Sequence, residues 1–211
     1  MDGTTVDTSL IWKTATKMFL KENLILNQDI ASKIHEQTKG IASIEIGKII
    51  KKETNLKYKP SEIINRINKI AENLDCNNVS YIRGFETFHR KLKEKNIIIA
   101  MVTNASEVFI EKINKKLNMK KYFENHIYNS SHVNWKYKPL PDVYLYAAKA
   151  MRVDPKNCIA IEDSQPGVQA AKSAGMYCIA VLTTTDEEKL KNADLIVKNL
   201  SEIDIKTISK L

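Results

Sequence analysis

At 211 residues, the chain is long enough for one sizeable domain, or for a domain that carries a smaller inserted one. Its hydrophobic fraction of 43% suits an ordinary globular core, and no apolar run approaches the ~20 residues of a membrane-spanning helix. The net charge of +8 would suit nucleic acid, but the lysines alternate with acids, as on solvated helix faces. We therefore expect neither a membrane nor a nucleic-acid partner.

The cysteines indicate the cellular compartment, and the net charge indicates the kind of substrate. Cys76, Cys158 and Cys178 are odd in number and far apart, which favours free thiols in a reducing cytoplasm. A mild positive field would attract a small anionic molecule such as a phosphate ester. We expect a monomer or a weak dimer.

The first part of the chain has the pattern of helices. Between residues 11 and 78, apolar residues recur at spacings of three and four, which predicts three or four short helices. Ser61 and Glu62 after Pro60 predict one helix start. Trp12 is expected to be a packing residue, as is Trp135 further along the chain.

From Val79 onward, short apolar runs alternate with helical segments. Such runs are typical of strands buried on both faces, which predicts a doubly wound α/β domain with a parallel sheet. The predicted strands cover residues 96–102, 126–129, 158–162, 177–182 and 193–197. In such sheets the functional site lies beyond the carboxyl ends of the strands.

Polar residues follow the first of these runs. Thr103 and Asn104 come directly after the run at 96–102. There, a hydroxyl and the backbone N–H groups of a starting helix could bind phosphate oxygens. A simple helix cap at Thr103 is an equally good interpretation of this feature alone.

Two carboxylates, Glu162 and Asp163, follow the run at 158–162. Their mutual repulsion and partial burial call for a cation, and oxygen ligands at a phosphate site favour Mg²⁺. The competing interpretation is that Asp163 only caps the helix at Pro166.

Lys138 precedes a helix start that is marked by Pro139, Pro141 and Asp142. A lysine in a lysine-rich chain is usually solvated, but two prolines make a rigid loop that would hold this ammonium in one place.

Together these segments resemble the haloacid dehalogenase superfamily of phosphohydrolases, in its β-phosphoglucomutase and phosphoglycolate phosphatase branch. The matching segments are Asp2-Gly3-Thr4, Thr103, Lys138 to Asp142, and Glu162 to Met176. The resemblance implies a Rossmann-like α/β core at residues 1–10 and 79–211, with an inserted α-helical cap at residues 11–78.

The resemblance also implies roles for single residues in an aspartyl-phosphate mechanism. Asp2 would be the general acid and base, and its carbonyl would contact Mg²⁺. Thr103 and the N–H of Asn104 would hold phosphoryl oxygens, Lys138 would neutralise developing charge, and Asp163 with Glu162 would complete the metal site.

The resemblance places the attacking aspartate directly before Met1, with an apolar strand before it. We therefore expect the natural protein to start upstream, this chain being a truncation or the product of a misassigned start. The chain as given is expected to hydrolyse phosphate esters hardly at all.

In the helical segment, Lys39 and Gly40 match the substrate loop of the cap, although a solvated lysine at a helix end would look the same. The arginine and the histidine that β-phosphoglucomutases use fall on Ser43 and Trp12. Both departures favour a plain phosphatase of small phosphorylated metabolites, such as sugar phosphates, over a sugar phosphomutase. A catalytically inactive protein of the same fold is the other alternative.

Overall fold

Helices fill the first third of the chain, and strands that alternate with helices fill the rest, in the computed structural model, which describes residues 1–208. The strands are β1 (Val6–Asp7), β2 (Ser80–Tyr81), β3 (Met101–Thr103), β4 (Ile127–Asn129), β5 (Ile159–Glu162), β6 (Tyr177–Val181) and β7 (Leu195–Val197). The α-helices are α1 (Ser9–Glu22), α2 (Gln28–Gln37), α3 (Ser43–Thr54), α4 (Pro60–Asn73), α5 (Phe85–Glu94), α6 (Glu107–Leu117), α7 (Lys120–Phe123), α8 (Asp142–Ala150), α9 (Gln165–Ser173), α10 (Glu187–Leu190) and α11 (Ile205–Ile208).

The helical segment α1–α4 packs around isoleucines. Ile34, Ile50 and Ile63 are fully buried, one each from α2, α3 and α4. The helix start predicted near Pro60 is confirmed: proline needs no N–H partner in a first turn, and Glu62 Oε2 accepts the N–H of Lys59 at 2.7 Å.

A short antiparallel ladder joins the two ends of this helical segment. Val6 pairs with Tyr81, and Asp7 pairs with Ser80, so that the chain enters and leaves α1–α4 side by side. The helical segment is therefore tied to the remainder of the protein through two adjacent strands.

The remaining strands are parallel and covered on both faces, as predicted. β3 pairs with β4, and β6 lies between β5 and β7. Along β6, Ile179 and Val181 join the larger core cluster, whereas Cys178 and Ala180 join a second cluster with residues of α8, α9 and α10. This alternation is what a sheet with helices on both faces requires.

The strand predicted over residues 96–102 is shorter in the structure. Within residues 1–208, ladder pairing of this segment covers Met101–Thr103 and joins β3 to β4 alone. Residues 97–100 have no ladder partner in the described part of the chain, and Ile98 is 62% exposed. An apolar sequence forms a strand only where a neighbouring backbone satisfies its N–H and C=O groups.

Small side chains bring α9 close to the sheet. Ala170 and Ala171 are fully buried against the β5–β6 face, and Val168 packs beside them. In the first turn of α9, Gly167 lies directly on Glu162 at the end of β5, because a Cβ at this position would overlap the Glu162 carboxylate. Within residues 1–208, no helix is both long and apolar enough to cross a bilayer.

Candidate functional site

Lys138 connects the ends of two strands that share no ladder in the described residues. Its Nζ donates to the carbonyl of Val102 in β3 at 2.9 Å and to Glu162 Oε1 at the end of β5 at 2.5 Å. Its backbone N–H donates to Asn104 Oδ1 at 3.0 Å. The three sequence motifs that contain Asn104, Lys138 and Glu162 therefore meet at one point.

The ion pair between Lys138 and Glu162 is buried. The two side chains are 8% and 6% exposed, and the Tyr144 hydroxyl donates to the same Oε1 of Glu162. The ammonium also lies 4.6 Å from the centroid of the Tyr144 ring. Burial opposes the charge on Glu162, but Lys138 and Tyr144 outweigh it and lower the pKa of this carboxyl.

Asp163 has the opposite electrostatic environment. Thr4 Oγ1 donates to its Oδ1 at 2.7 Å, and Thr184 Oγ1 donates to its Oδ2. None of the Lys, Arg and His side chains in residues 1–208 forms an ion pair with it. Burial, followed by repulsion from Glu162, raises the pKa of Asp163 to about 6.

Gly3 allows the N-terminal loop to approach this carboxylate. Its φ is +71°, and a Cβ at this position would overlap Asp163 Oδ2 and the methyl group of Thr184. Gly3 is therefore required both by its backbone conformation and by the space it leaves for Asp163.

Asp2 lies in the same loop, and two donors hold one of its oxygens. Thr8 Oγ1 donates to Asp2 Oδ1 at 2.5 Å, and Trp12 Nε1 donates to the same oxygen at 3.2 Å. Trp12 also packs on Phe109, with ring centroids 5.1 Å apart. The packing expected for Trp12 is thus only part of its role, because its indole N–H orients Asp2; Trp135, by contrast, is largely exposed.

Neither of the two helix-cap interpretations holds. Ser106 caps α6 by accepting the N–H of Phe109, and Ser164 caps α9 by accepting the N–H of Gly167. Thr103 is buried at the end of β3, where its Oγ1 accepts the N–H of Ala105 at 3.1 Å. Thr103 and Asp163 are therefore not required as caps.

The backbone carbonyls of Lys39 and Gly40 accept hydrogen bonds from residues at the rim of this site. The N–H of Gln165, two residues after Asp163, donates to the carbonyl of Gly40 at 3.0 Å. The Lys39 ammonium points elsewhere: it pairs with Glu36 Oε2 at 2.9 Å on the surface of α2. Ser43 is exposed at the start of α3.

Three consecutive threonines link the parts of the site, and the sequence analysis missed them. Thr183 Oγ1 donates to the carbonyl of Gly3, Thr184 to the carboxylate of Asp163, and Thr185 to the carbonyl of Lys39. A threonine run in a loop carries no pattern signal, because its partners are remote in sequence.

The residues fit a divalent cation only in part. Within residues 1–208, no three His, Cys, Asp or Glu side chains are grouped so that they alone could hold a metal ion. Glu162 is bound to Lys138 and Tyr144 through Oε1, a geometry that does not support its predicted role as a ligand. Asp163 does fit, because it is a buried carboxylate that no side chain of residues 1–208 pairs with as an ion, and Asp2 lies in the loop packed against it.

The parallel α/β core places a buried lysine from the loop before α8 beside a hydroxyl and two carboxylates at the ends of β3 and β5. The chain belongs to the haloacid dehalogenase-like hydrolase family, because the model of that family matches residues 1–181.

A solved structure shares the fold of this chain, and a curated protein is similar to it over most of its length. A haloacid dehalogenase hydrolase of family IA, variant 3, from Entamoeba histolytica superposes with a TM-score of 0.80 at 21% identity, covering 100% of this chain and 95% of that one. A probable pseudouridine-5'-phosphatase from Drosophila melanogaster is 27% identical over 96% of this chain and 88% of its own length.

A bifunctional riboflavin kinase/FMN phosphatase from Arabidopsis thaliana is 37% identical over 59% of this chain. The match spans only 33% of the length of that relative.

Gly3→Ala should destabilise the protein more than Gly175→Ala does. Both glycines have positive φ, but an added Cβ at Gly175 meets nothing within 4 Å, whereas at Gly3 it overlaps Asp163. We expect Gly175→Ala to cost about 1–2 kcal/mol for the left-handed backbone. Gly3→Ala should cost about 1–3 kcal/mol more, for overpacking. Urea unfolding of both variants measures the difference, and equal losses of unfolding free energy would contradict the described packing of Gly3 on Asp163.

Proposed function

We propose that this chain belongs to a Mg²⁺-dependent phosphatase of small phosphorylated metabolites, sugar phosphates or similar compounds. The reaction would proceed through an aspartyl-phosphate. The attacking aspartate is the residue expected directly before Met1, and residues 11–78 would form the cap over the site. A cytoplasmic location is part of the same proposal.

The observation that carries the proposal is the convergence on Lys138. The buried ammonium of Lys138 donates to Glu162 and to the carbonyl of Val102, and the backbone N–H of Lys138 donates to Asn104. A phosphoryl group needs buried positive charge for binding, beside a strand-end hydroxyl and the backbone N–H groups of a helix start. The names of the two curated relatives, both phosphatases in part or whole, support the same class of reaction.

In the proposed mechanism, each site residue has a role at a specific atom. Asp2 exchanges the proton through Oδ2, because Oδ1 is held by Thr8 and Trp12. The Thr103 hydroxyl and the Asn104 N–H bind phosphoryl oxygens, and Lys138 stabilises the negative charge that develops on them. Mg²⁺, held by Asp163 and the Asp2 carbonyl, would supply further charge stabilisation.

The α-amino nitrogen of Met1 is buried beside these charged groups. Burial, and next the charge of Lys138, lower the pKa of this amino group, while Asp2, Glu162 and Asp163 oppose that shift.

Mg²⁺ binding should depend on Asp163. Asp163→Asn removes the buried charge that lacks an ion-pair partner, so binding detected by titration calorimetry with MgCl₂ is expected to be lost. Asp186→Asn is the matched control, because Asp186 is exposed beyond the threonine run and should leave binding unchanged. Equal Mg²⁺ binding by the Asp163→Asn variant and the wild-type chain would refute the metal assignment.

Phosphatase activity should require an aspartate in front of Met1. We expect the 211-residue chain to release phosphate from a panel of sugar phosphates at a rate roughly 10⁴ to 10⁶-fold below an ordinary turnover of about 1 s⁻¹. A version extended in front of Met1 by a short apolar strand that ends in aspartate should turn over at an ordinary rate.

The matched version whose added strand ends in asparagine separates chemistry from folding. It should bind Mg²⁺ as well as the aspartate version does and remain inactive. Ordinary turnover by the 211-residue chain itself would contradict the position of the nucleophile. Failure of the aspartate version to turn over any substrate on the panel would contradict the proposed phosphatase.

A further inference from the structure

Among residues 1–208, three polar contacts join the loop between α2 and α3 to the core. Lys189 Nζ donates to the carbonyl of Lys39 at 2.9 Å, and Thr185 Oγ1 approaches the same carbonyl at 3.4 Å. The N–H of Gln165 donates to the carbonyl of Gly40 at 3.0 Å. We call residues 38–40 the docking loop.

All three contacts end on backbone carbonyls of the docking loop. They therefore do not depend on the side chain at position 39, which pairs with Glu36. Position 40 is restricted, because Gly40 has a φ of +63° and a Cβ there would overlap Thr185. The backbone of the docking loop thus lies directly on the segment that contains Thr184, the partner of Asp163.

Further polar attachments of the helical segment lie near its two ends. Lys112 of α6 donates to the carbonyl of Glu72 at 2.8 Å, and Ser106 Oγ donates to Glu72 Oε1 at 2.5 Å. The β1–β2 ladder holds the entering and leaving chain side by side. The docking loop lies near the middle of α1–α4, so its polar contacts hold the part of the segment that is farthest in sequence from these attachments.

We propose that Lys189 is a positioning residue that holds the docking loop, and with it Lys39 and Gly40, against the rim of the site. Its ammonium supplies the one charged donor among the three contacts, and charge-assisted hydrogen bonds are the stronger kind. Loss of this donor leaves two weaker contacts, and the docking loop then separates from the core more often. This inference rests on the contacts of the loop and not on the proposed phosphatase activity.

One amide reports directly on this docking. Gln165 is the first residue of α9, where an N–H has no partner within its own helix, and here its partner is the carbonyl of Gly40. Its exchange with solvent deuterium therefore measures how often the docking loop leaves. The N–H of Val168, which donates to Ser164 within α9, serves as the internal control.

Amide exchange followed by ¹⁵N NMR on the full chain tests the role of Lys189. In Lys189→Met, exchange of the Gln165 amide should become about tenfold faster while that of Val168 stays unchanged. Lys189→Arg keeps a charged donor and should restore slow exchange at Gln165. Lys191→Met is the matched control, because Lys191 pairs with Glu188 at 2.6 Å and makes no described contact with the docking loop.

Two results would overturn the proposal. Equal exchange of the Gln165 amide in the Lys189→Met and Lys191→Met variants would show that Lys189 does not hold the docking loop. Equal acceleration at Gln165 and Val168 in Lys189→Met would show that Lys189 stabilises the whole domain instead. Neither result bears on phosphatase activity, so the two proposals fail independently.

Discussion

The buried ion pair between Lys138 and Glu162 is the interaction on which the functional site depends. β3 and β5 share no ladder in residues 1–208, and Lys138 is bound to both: to the carbonyl of Val102 and to the carboxylate of Glu162. Removing one partner of such a pair leaves an uncompensated buried charge, which costs about 3–5 kcal/mol. The pair therefore fixes the distance between the strand end that carries Thr103 and the one that carries Asp163.

This pairing also makes the two adjacent carboxylates different. Lys138 and Tyr144 lower the pKa of Glu162 against the effect of burial, whereas burial and the charge of Glu162 raise the pKa of Asp163 to about 6. One carboxylate is thereby satisfied within the protein, and the other would gain from an added cation. Gly3 and Thr184 then bring the N-terminal loop and the threonine run against Asp163.

The sequence predicted the elements better than it predicted their contacts. The positions of Thr103 and Asp163 at strand ends follow from apolar runs and from the rule that parallel strands present their carboxyl ends together, and the position of Lys138 before a helix follows from the prolines beside it. The shortened strand before Thr103 could not be predicted, because strand formation depends on a neighbouring backbone and not on the apolar run alone. Likewise, the hydrogen bond from Trp12 to Asp2 depends on how α1 is rotated, and the roles of Thr183–Thr185 depend on partners up to 180 positions away.

In the proposed function, Thr103, Asn104 and Lys138 form a phosphoryl site next to a cation site at Asp163. A crystal of the chain soaked with MgCl₂ and tungstate, a heavy-atom stand-in for phosphate, tests this claim by anomalous scattering. We predict a tungsten peak within hydrogen-bonding distance of the Thr103 hydroxyl, the Asn104 N–H and the Lys138 ammonium. A tungstate peak elsewhere on the protein, with none at these three groups, would contradict it.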